Sequence, residues 1–268
     1  MHRAITISVL LLSIYFCPQV IAANQRTKPD EHSQCNLVFG LVEWRPGQYV
    51  NEAGKITGAQ VELINEITSQ LDCTVHYVLS TWRETLEKIE AGEIDFAGNA
   101  TLVTERLRFA RFSTPYHYDV FLFYVKEENI ESFSLSSIEA LMATGFRLGL
   151  TQDFIYGNAL NVWINHPQFN KNISYESSSA INMHKLKDGD IDGLLEDPFV
   201  ISYNQRTKLI EMKLLPLPIK QLGLESRFIF SKKTLSQEFV SQFDAILKDK
   251  MKSPEYNKIW FNPRLINE

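Results

Sequence analysis

Apolar positions along this chain fall into two alternating patterns. Short apolar runs at Asn36–Gly40, Thr74–Leu79, Ile94–Ala97, Asp119–Val125, Phe146–Leu150, Ile173–Tyr175, Asp192–Leu195, Ile210–Leu215 and Arg227–Phe230 read as strands. Between them, apolar residues recur at helical spacing. Val61, Ile64, Ile67 and Leu71 do so within Gln60–Leu71, and Trp82, Leu86 and Ile89 within Trp82–Ala91, which meets Gly92 where a left-handed cap suits. Ser136 and Glu139 make a capping-box pair that opens a helix at Ser137. Further helices are predicted over Tyr156–Trp163, Ala180–Lys187 and Phe199–Arg206. Thr234 and Gln237 form a second capping-box pair, ahead of a helix that buries Leu235, Phe239, Phe243, Ile246 and Leu247. Ser253-Pro254-Glu255 starts a last helix carrying Tyr256 and Trp260. Strands alternating with helices predict an α/β fold with mostly parallel sheets. Two such runs meet at the polar stretch Lys126–Ser134, and a helical tail follows Pro216 and Pro218, so two lobes are expected.

Composition leaves that picture intact. The chain has 268 residues, 44% hydrophobic and 22% charged, enough for one large or two modest domains. A net charge of −5 argues against nucleic acid as a partner. The front of the chain adds a destination. Arg3 precedes the apolar run Ala4–Phe16, which is short for a bilayer span, and small residues at Ala22 and Ala23 suit cleavage. A signal peptide over residues 1–23 and export to the periplasm are therefore expected. Tyr15 and Phe16 are too bulky for a lipid-attachment box before Cys17; an uncleaved anchor is the alternative. Cys35 and Cys73 each start a predicted strand and flank one helix, a βαβ unit. If those strands are neighbours, an oxidising compartment favours a Cys35–Cys73 disulfide; two separate buried thiols are the other reading.

Candidate chemistry concentrates between Gly98 and Tyr116. Asn99, Thr101 and Thr104 precede Arg106, and Phe112-Ser113-Thr114-Pro115-Tyr116 follows. Hydrogen-bonding side chains ahead of a guanidinium suit a small carboxylate, which arginine grips with two parallel bonds. Each residue has a plainer role open to it. Arg106 could pair with Glu105, Asn99 and Thr101 could satisfy a turn, Asp197 could cap the helix from Phe199, and Trp44 could be an ordinary packing aromatic. Asp188–Gly193 imitates the start of a calcium loop, but Phe199 stands where a bidentate glutamate belongs. The histidines show no metal-ligand spacing, and nucleophile-elbow, P-loop and dinucleotide fingerprints are missing. No cofactor, metal or catalytic residue is predicted.

The Gly98–Tyr116 segment resembles the signature of bacterial periplasmic solute-binding proteins of family 3, the polar amino-acid-binding components of ABC transporters. Other pieces match in order: Gly54-Lys-Ile-Thr-Gly58 with Val61-Glu-Leu, Ala91-Gly-Glu-Ile-Asp95, Lys187-Asp-Gly-Asp-Ile-Asp-Gly193, and Asp197. The resemblance implies a type II two-lobed fold with the ligand cleft between lobes. Lobe 1 would take residues 24–125, lobe 2 residues 126–220, and residues 221–268 would return to lobe 1. It implies that Arg106 holds a ligand carboxylate, that Asn99 and Thr101 line the pocket, and that Asp197 meets a ligand ammonium. Trp44 would supply an aromatic wall, with Glu43 beside it. Two departures stand out. Val103 replaces a usual threonine, and Asp153-Phe154 replace small Gly/Ser/Thr residues, which brings to the pocket an acid that repels a carboxylate at short range. The implied protein is a monomeric binding protein, not an enzyme, whose partners are a small polar ligand and a membrane permease or receptor. The alternatives are a periplasmic sensor feeding a membrane receptor, a dehydratase recruiting Glu43, Asp153 or Glu196 as acids, and a fold that has lost its ligand.

Overall fold

A computed structural model describes residues 35–219 and 224–260. The expected signal peptide, Cys17 and residues 24–34 lie outside the described residues. Two five-to-six-stranded sheets carry the architecture. The first runs in the order Cys73–Leu79, Cys35–Leu41, Phe96–Ala100, Leu224–Ser231, Ala110–Phe112, and His117–Asp119 also pairs with Leu224–Ser231. The second runs Ile173–Glu176, Leu148–Thr151, Gly193–Glu196, Leu122–Lys126, Leu214–Pro216. The parallel expectation holds for the first three strands of each sheet, and the others are antiparallel.

Each sheet is buried on both faces because its residues alternate between two cores. In the first sheet Phe96, Phe228 and Phe230 face one core, with Ile64, Ile67, Phe243 and Leu247 from helices Ala59–Ser69 and Gln237–Lys250. Ala97 and Ile229 face the opposite core, with Trp82 and Ile89 of helix Trp82–Ala91. In the second sheet Phe123, Val125 and Leu195 face one side, Tyr124 and Leu194 the other. This period of two follows from the pleat of a strand. The two strands that start at Cys35 and Cys73 pair in parallel from those very residues. The cysteines are joined by a disulfide, Cα–Cα 4.4 Å.

Several boundaries differ from the sequence reading. The apolar run Asp119–Val125 is not one strand. His117–Asp119 pairs in the first sheet and Leu122–Lys126 in the second, so the chain changes sheets at residues 120–121 rather than at Lys126. The physical reason is that Phe123 and Val125 are buried in the core of the second sheet. The return falls between Pro216 and Leu224. The polar stretch after Lys126 contains a short helix, Ile130–Phe133. Both expected capping pairs are displaced. Ser137, not Ser136, caps Ile138–Ala143 by accepting from Ala140 N–H, and Ser236, not Thr234, caps Gln237–Lys250 by accepting from Phe239 N–H.

Candidate functional site

A cleft of about 790 Å³ is lined by residues of both sheets. The half built on the first sheet contributes Trp44, Gln48, Gly98, Asn99, Thr101 and Asp119 from strands and loops, Trp82 from the start of a helix and Arg106 from a 3-10 turn; the half built on the second contributes Thr151, Phe154, Glu196 and Asp197 from strands and loops and Ser179 from the start of helix Ser179–Asp188.

Arg106 opens a short 3-10 turn after the Phe96–Ala100 strand, and only 7% of its surface is exposed. Its guanidinium lies 5.3 Å from the Trp82 ring centroid, a cation–π contact. Nη1 donates to the Thr101 carbonyl at 3.0 Å, and Nη2 donates to the Asp153 carbonyl at 2.9 Å. Thr101 thus serves Arg106 through its backbone. Burial lowers the Arg106 pKa to about 10, with the charges of Asp153 and Glu105 working against that, so the group stays cationic at neutral pH. Among the described residues these two carbonyls are its hydrogen-bond acceptors, and a guanidinium has five N–H donors.

Asn99 adopts a left-handed backbone, φ 56°, which asparagine tolerates better than most residues. Its amide oxygen accepts from Tyr116 Oη at 2.6 Å and lies 3.1 Å from His117 Nε2. Tyr116 Oη is equally within reach of Gln60 Oε1, so its single proton serves one of these two oxygens, and Gln60 Nε2 donates to Gln48 Oε1 at 2.6 Å. This buried polar chain fixes the floor of the cleft. A Cβ at Gly98 would lie 2.3 Å from Gln60 Nε2, so a larger residue there must displace the Gln60 amide from this chain.

Asp197 does cap the helix Pro198–Arg206, accepting from Phe199 N–H at 2.8 Å, and it also lines the cleft. Its other oxygen accepts from the Trp44 indole Nε1 at 3.1 Å, a bond from the first-sheet side of the cleft to the second. Trp44 stacks on His117 with centroids 5.6 Å apart, so both of its expected roles, wall and packing, meet in one ring. Glu196 accepts from Ser179 Oγ and from Asp197 N–H. Burial pushes Glu196 up to about 7 and Asp197 up to about 6; the donors just named oppose both shifts. Asp119 is raised well above its ordinary value by burial first and by the charge of Asp197 second. His117 is pushed down to about 3 by burial, so it is a neutral imidazole.

Two expected site residues stand apart. Asp153 is not among the residues lining the cleft: its left-handed backbone, φ 61°, turns the carbonyl to Arg106, and its carboxylate pairs with Arg83 at 3.0 Å. Its charge is shared between Arg83 and the Arg106 guanidinium, on which it acts from outside the cleft. Glu43 lies at the cleft's margin, about half exposed and paired with Arg45. The bland pairing of Arg106 with Glu105 gives way to the carbonyl contacts. Sequence reading missed Asp119 and treated Trp82 as packing alone. An acid at the lip of an aromatic strand was the available signal for Asp119.

Residues 37–262 match the bacterial extracellular solute-binding proteins, family 3, and the chain belongs to that family. It is similar to the L-cystine-binding protein TcyJ of Bacillus subtilis (strain 168), 23% identical over 254 residues that make up 94% of this chain and 91% of that protein. Among solved structures it resembles an ancestral arginine-binding protein bound to arginine, with a TM-score of 0.71, 20% identity, and 86% of this chain and all of that one covered. A histidine kinase sensor domain with similarity to periplasmic binding proteins gives a TM-score of 0.71 at 18% identity, covering 87% of this chain and 98% of that one. At those identities the likeness shows the fold alone, the two-lobed α/β fold of periplasmic binding proteins.

Proposed function

We propose that this protein is a periplasmic receptor that captures a small amino-acid-like solute between its lobes and presents it to an ABC-type permease. The observation that carries the reading is a buried arginine, Arg106, lining the same cleft as a buried aspartate, Asp197, each supplied by a different sheet. A zwitterion needs one charge of each sign at its two ends, and a solute held by both would draw the lobes together. Arg106 takes the carboxylate through its remaining donors, and Asn99 and Thr101 shape that end. Asp197 takes the ammonium in place of the Trp44 indole, and Trp44 becomes the wall against the ligand's stem. Residues 120–121 are the first hinge segment, which leaves one lobe as residues 35–119 with the segment from Leu224 to Trp260 and the other as residues 122–219.

The test is calorimetric titration of the mature protein, stripped of bound solute, with the standard L-amino acids, L-cystine, polyamines, small dicarboxylates and short peptides. Micromolar or tighter binding of at least one amino acid supports the reading, and its loss by a hundredfold or more in Arg106→Ala assigns the anchor. Equal affinity in Arg106→Ala removes the anchor. Binding of no amino acid at all rejects the reading.

A further inference from the structure

Arg106 and Asp197 account for a small part of a cleft of about 790 Å³, a volume in the range that takes a drug-sized molecule rather than a single standard amino acid. The surplus has a definite course. On helix Ser179–Asp188, Ser179 and Ala180, then Met183 and His184, then Lys187 line the cleft, one step per turn. On helix Pro198–Arg206, Val200 and Asn204 line it, with Asp197 at the cap and Lys208 just past the end. That spacing is one face of each helix. The two helices start side by side, since Ser179 Oγ and Asp197 N–H both donate to Glu196. They touch again further along, where Asn204 Nδ2 lies 3.7 Å from Met183 Sδ. The cleft therefore continues as a groove between them, from Asp197 at the near end to Lys187 and Lys208 at the far end. From Ala180 to Lys187 the helix rises about 10 Å.

The groove changes character along its length. Its floor is apolar: Met183 and Val200 are buried, and Ile210 and Met212 pack against the same core and line the cleft. Its far end is charged. Lys187, Lys208 and Glu211 are exposed there, and among the described residues none of the three forms an ion pair. Two ammonium groups against one carboxylate leave a net positive charge. Lys208 keeps its side chain on a left-handed backbone, φ 58°, where glycine would be unstrained. We propose that the groove between helices Ser179–Asp188 and Pro198–Arg206 is a second subsite that takes the side chain of an elongated solute, an α-amino acid with a long apolar stem ending in a carboxylate. This deepens the proposed function and rests on the reading of Arg106 and Asp197 as the head-group site. With the head group held there, the stem lies on Met183 and Val200 and buries apolar surface, and the terminal carboxylate reaches Lys187 and Lys208. A short acidic side chain stops near Glu196, where both helices start, and meets a like charge instead.

The experiment titrates the mature protein, stripped of bound solute, with L-α-aminosuberate and with L-α-aminooctanoate, which has the same stem and no terminal carboxylate. L-norleucine and L-glutamate are the short neutral and short acidic controls. It is repeated with Lys187→Gln plus Lys208→Gln and with Lys187→Arg plus Lys208→Arg, at exposed positions where the fold tolerates either change. Aminooctanoate should bind at least fivefold tighter than norleucine, and aminosuberate at least fivefold tighter than both aminooctanoate and glutamate. The glutamine pair should bring aminosuberate to within twofold of aminooctanoate, and the arginine pair should keep it ahead. The inference is overturned, while the amino-acid reading stands, if the longer stem gains nothing, if aminosuberate and aminooctanoate bind alike, or if the glutamine pair keeps the preference or the arginine pair loses it. If neither these compounds nor any standard amino acid binds, the amino-acid reading falls and takes the inference with it.

Discussion

Replacing Glu196 by glutamine should make the solute-free protein less sensitive to pH, by an amount that its surroundings set. Burial raises the Glu196 pKa from 4.5 to about 7. The folded state therefore holds the proton more tightly than the unfolded chain does. Its contribution to stability is full below pH 4.5, is lost as pH rises through 7, and is constant above. At about 1.4 kcal/mol per tenfold change in proton affinity, ionisation costs the folded protein about 3 kcal/mol. A glutamine has no proton to lose; its amide oxygen can accept from the Asp197 N–H while its NH2 donates to the Ser179 hydroxyl, at every pH. Asp197 adds its own slope between 3.8 and about 6 in both proteins, so the difference above pH 6 belongs to Glu196. Urea unfolding of wild type and Glu196→Gln from pH 4.5 to 8 reads this directly. The stability of the variant relative to wild type should rise by about 3 kcal/mol across that range. Curves that stay parallel to within ~0.5 kcal/mol would refute the reasoning and show that Glu196 ionises freely where it sits.

Two further outcomes concern the lobe that carries Arg106. The Cys35–Cys73 disulfide closes a loop with a sequence separation of 38. The chain-entropy relation then gives about 4 kcal/mol, so Cys35→Ser with Cys73→Ser should lower the calorimetric unfolding midpoint by roughly 8–16 °C; a drop under ~2 °C would contradict it. Phe96 is fully buried, with Phe39 at 4.9 Å, Phe230 at 5.8 Å and Phe243 at 6.0 Å between ring centroids. Phe96→Ala should cost about 3–5 kcal/mol in urea unfolding, and a loss below ~1 kcal/mol would show that the core refills the space.

What could be read from the sequence was mostly what local chemistry decides. Helix Trp82–Ala91 has the bounds its periodicity and Gly92 predict, and Gly92 does take the left-handed cap, φ 81°. Its capping box, Thr81 with Glu84, went unnoticed although it is as local as the displaced ones. Strand pairing is not local. Asp119–Val125 reads as one apolar run, yet its two ends pair with Leu224–Ser231 and with Gly193–Glu196, partners about a hundred and about seventy residues away in sequence. The short strand Ala110–Phe112 is invisible for the same reason: only its pairing with Leu224–Ser231 makes it one. That Arg106 lines the cleft was legible because hydroxyl and amide residues surround it in a recognisable order. The direction of the Asp153 carboxylate could not be read from the sequence because it depends on a left-handed backbone that no neighbouring residue announces. Asp119 was missed because Asp197, whose charge acts on it, reaches it only through the fold.

The most direct test of the Arg106–Asp197 pairing uses the tightest-binding amino acid and its decarboxylated amine, each titrated into wild type and Arg106→Ala. If Arg106 grips the carboxylate, wild type should lose at least a hundredfold in affinity when the carboxylate is removed, and Arg106→Ala should bind the two compounds within a few-fold of each other. If Arg106→Ala keeps the full preference for the carboxylate, the anchor lies elsewhere in the cleft and the central claim is wrong.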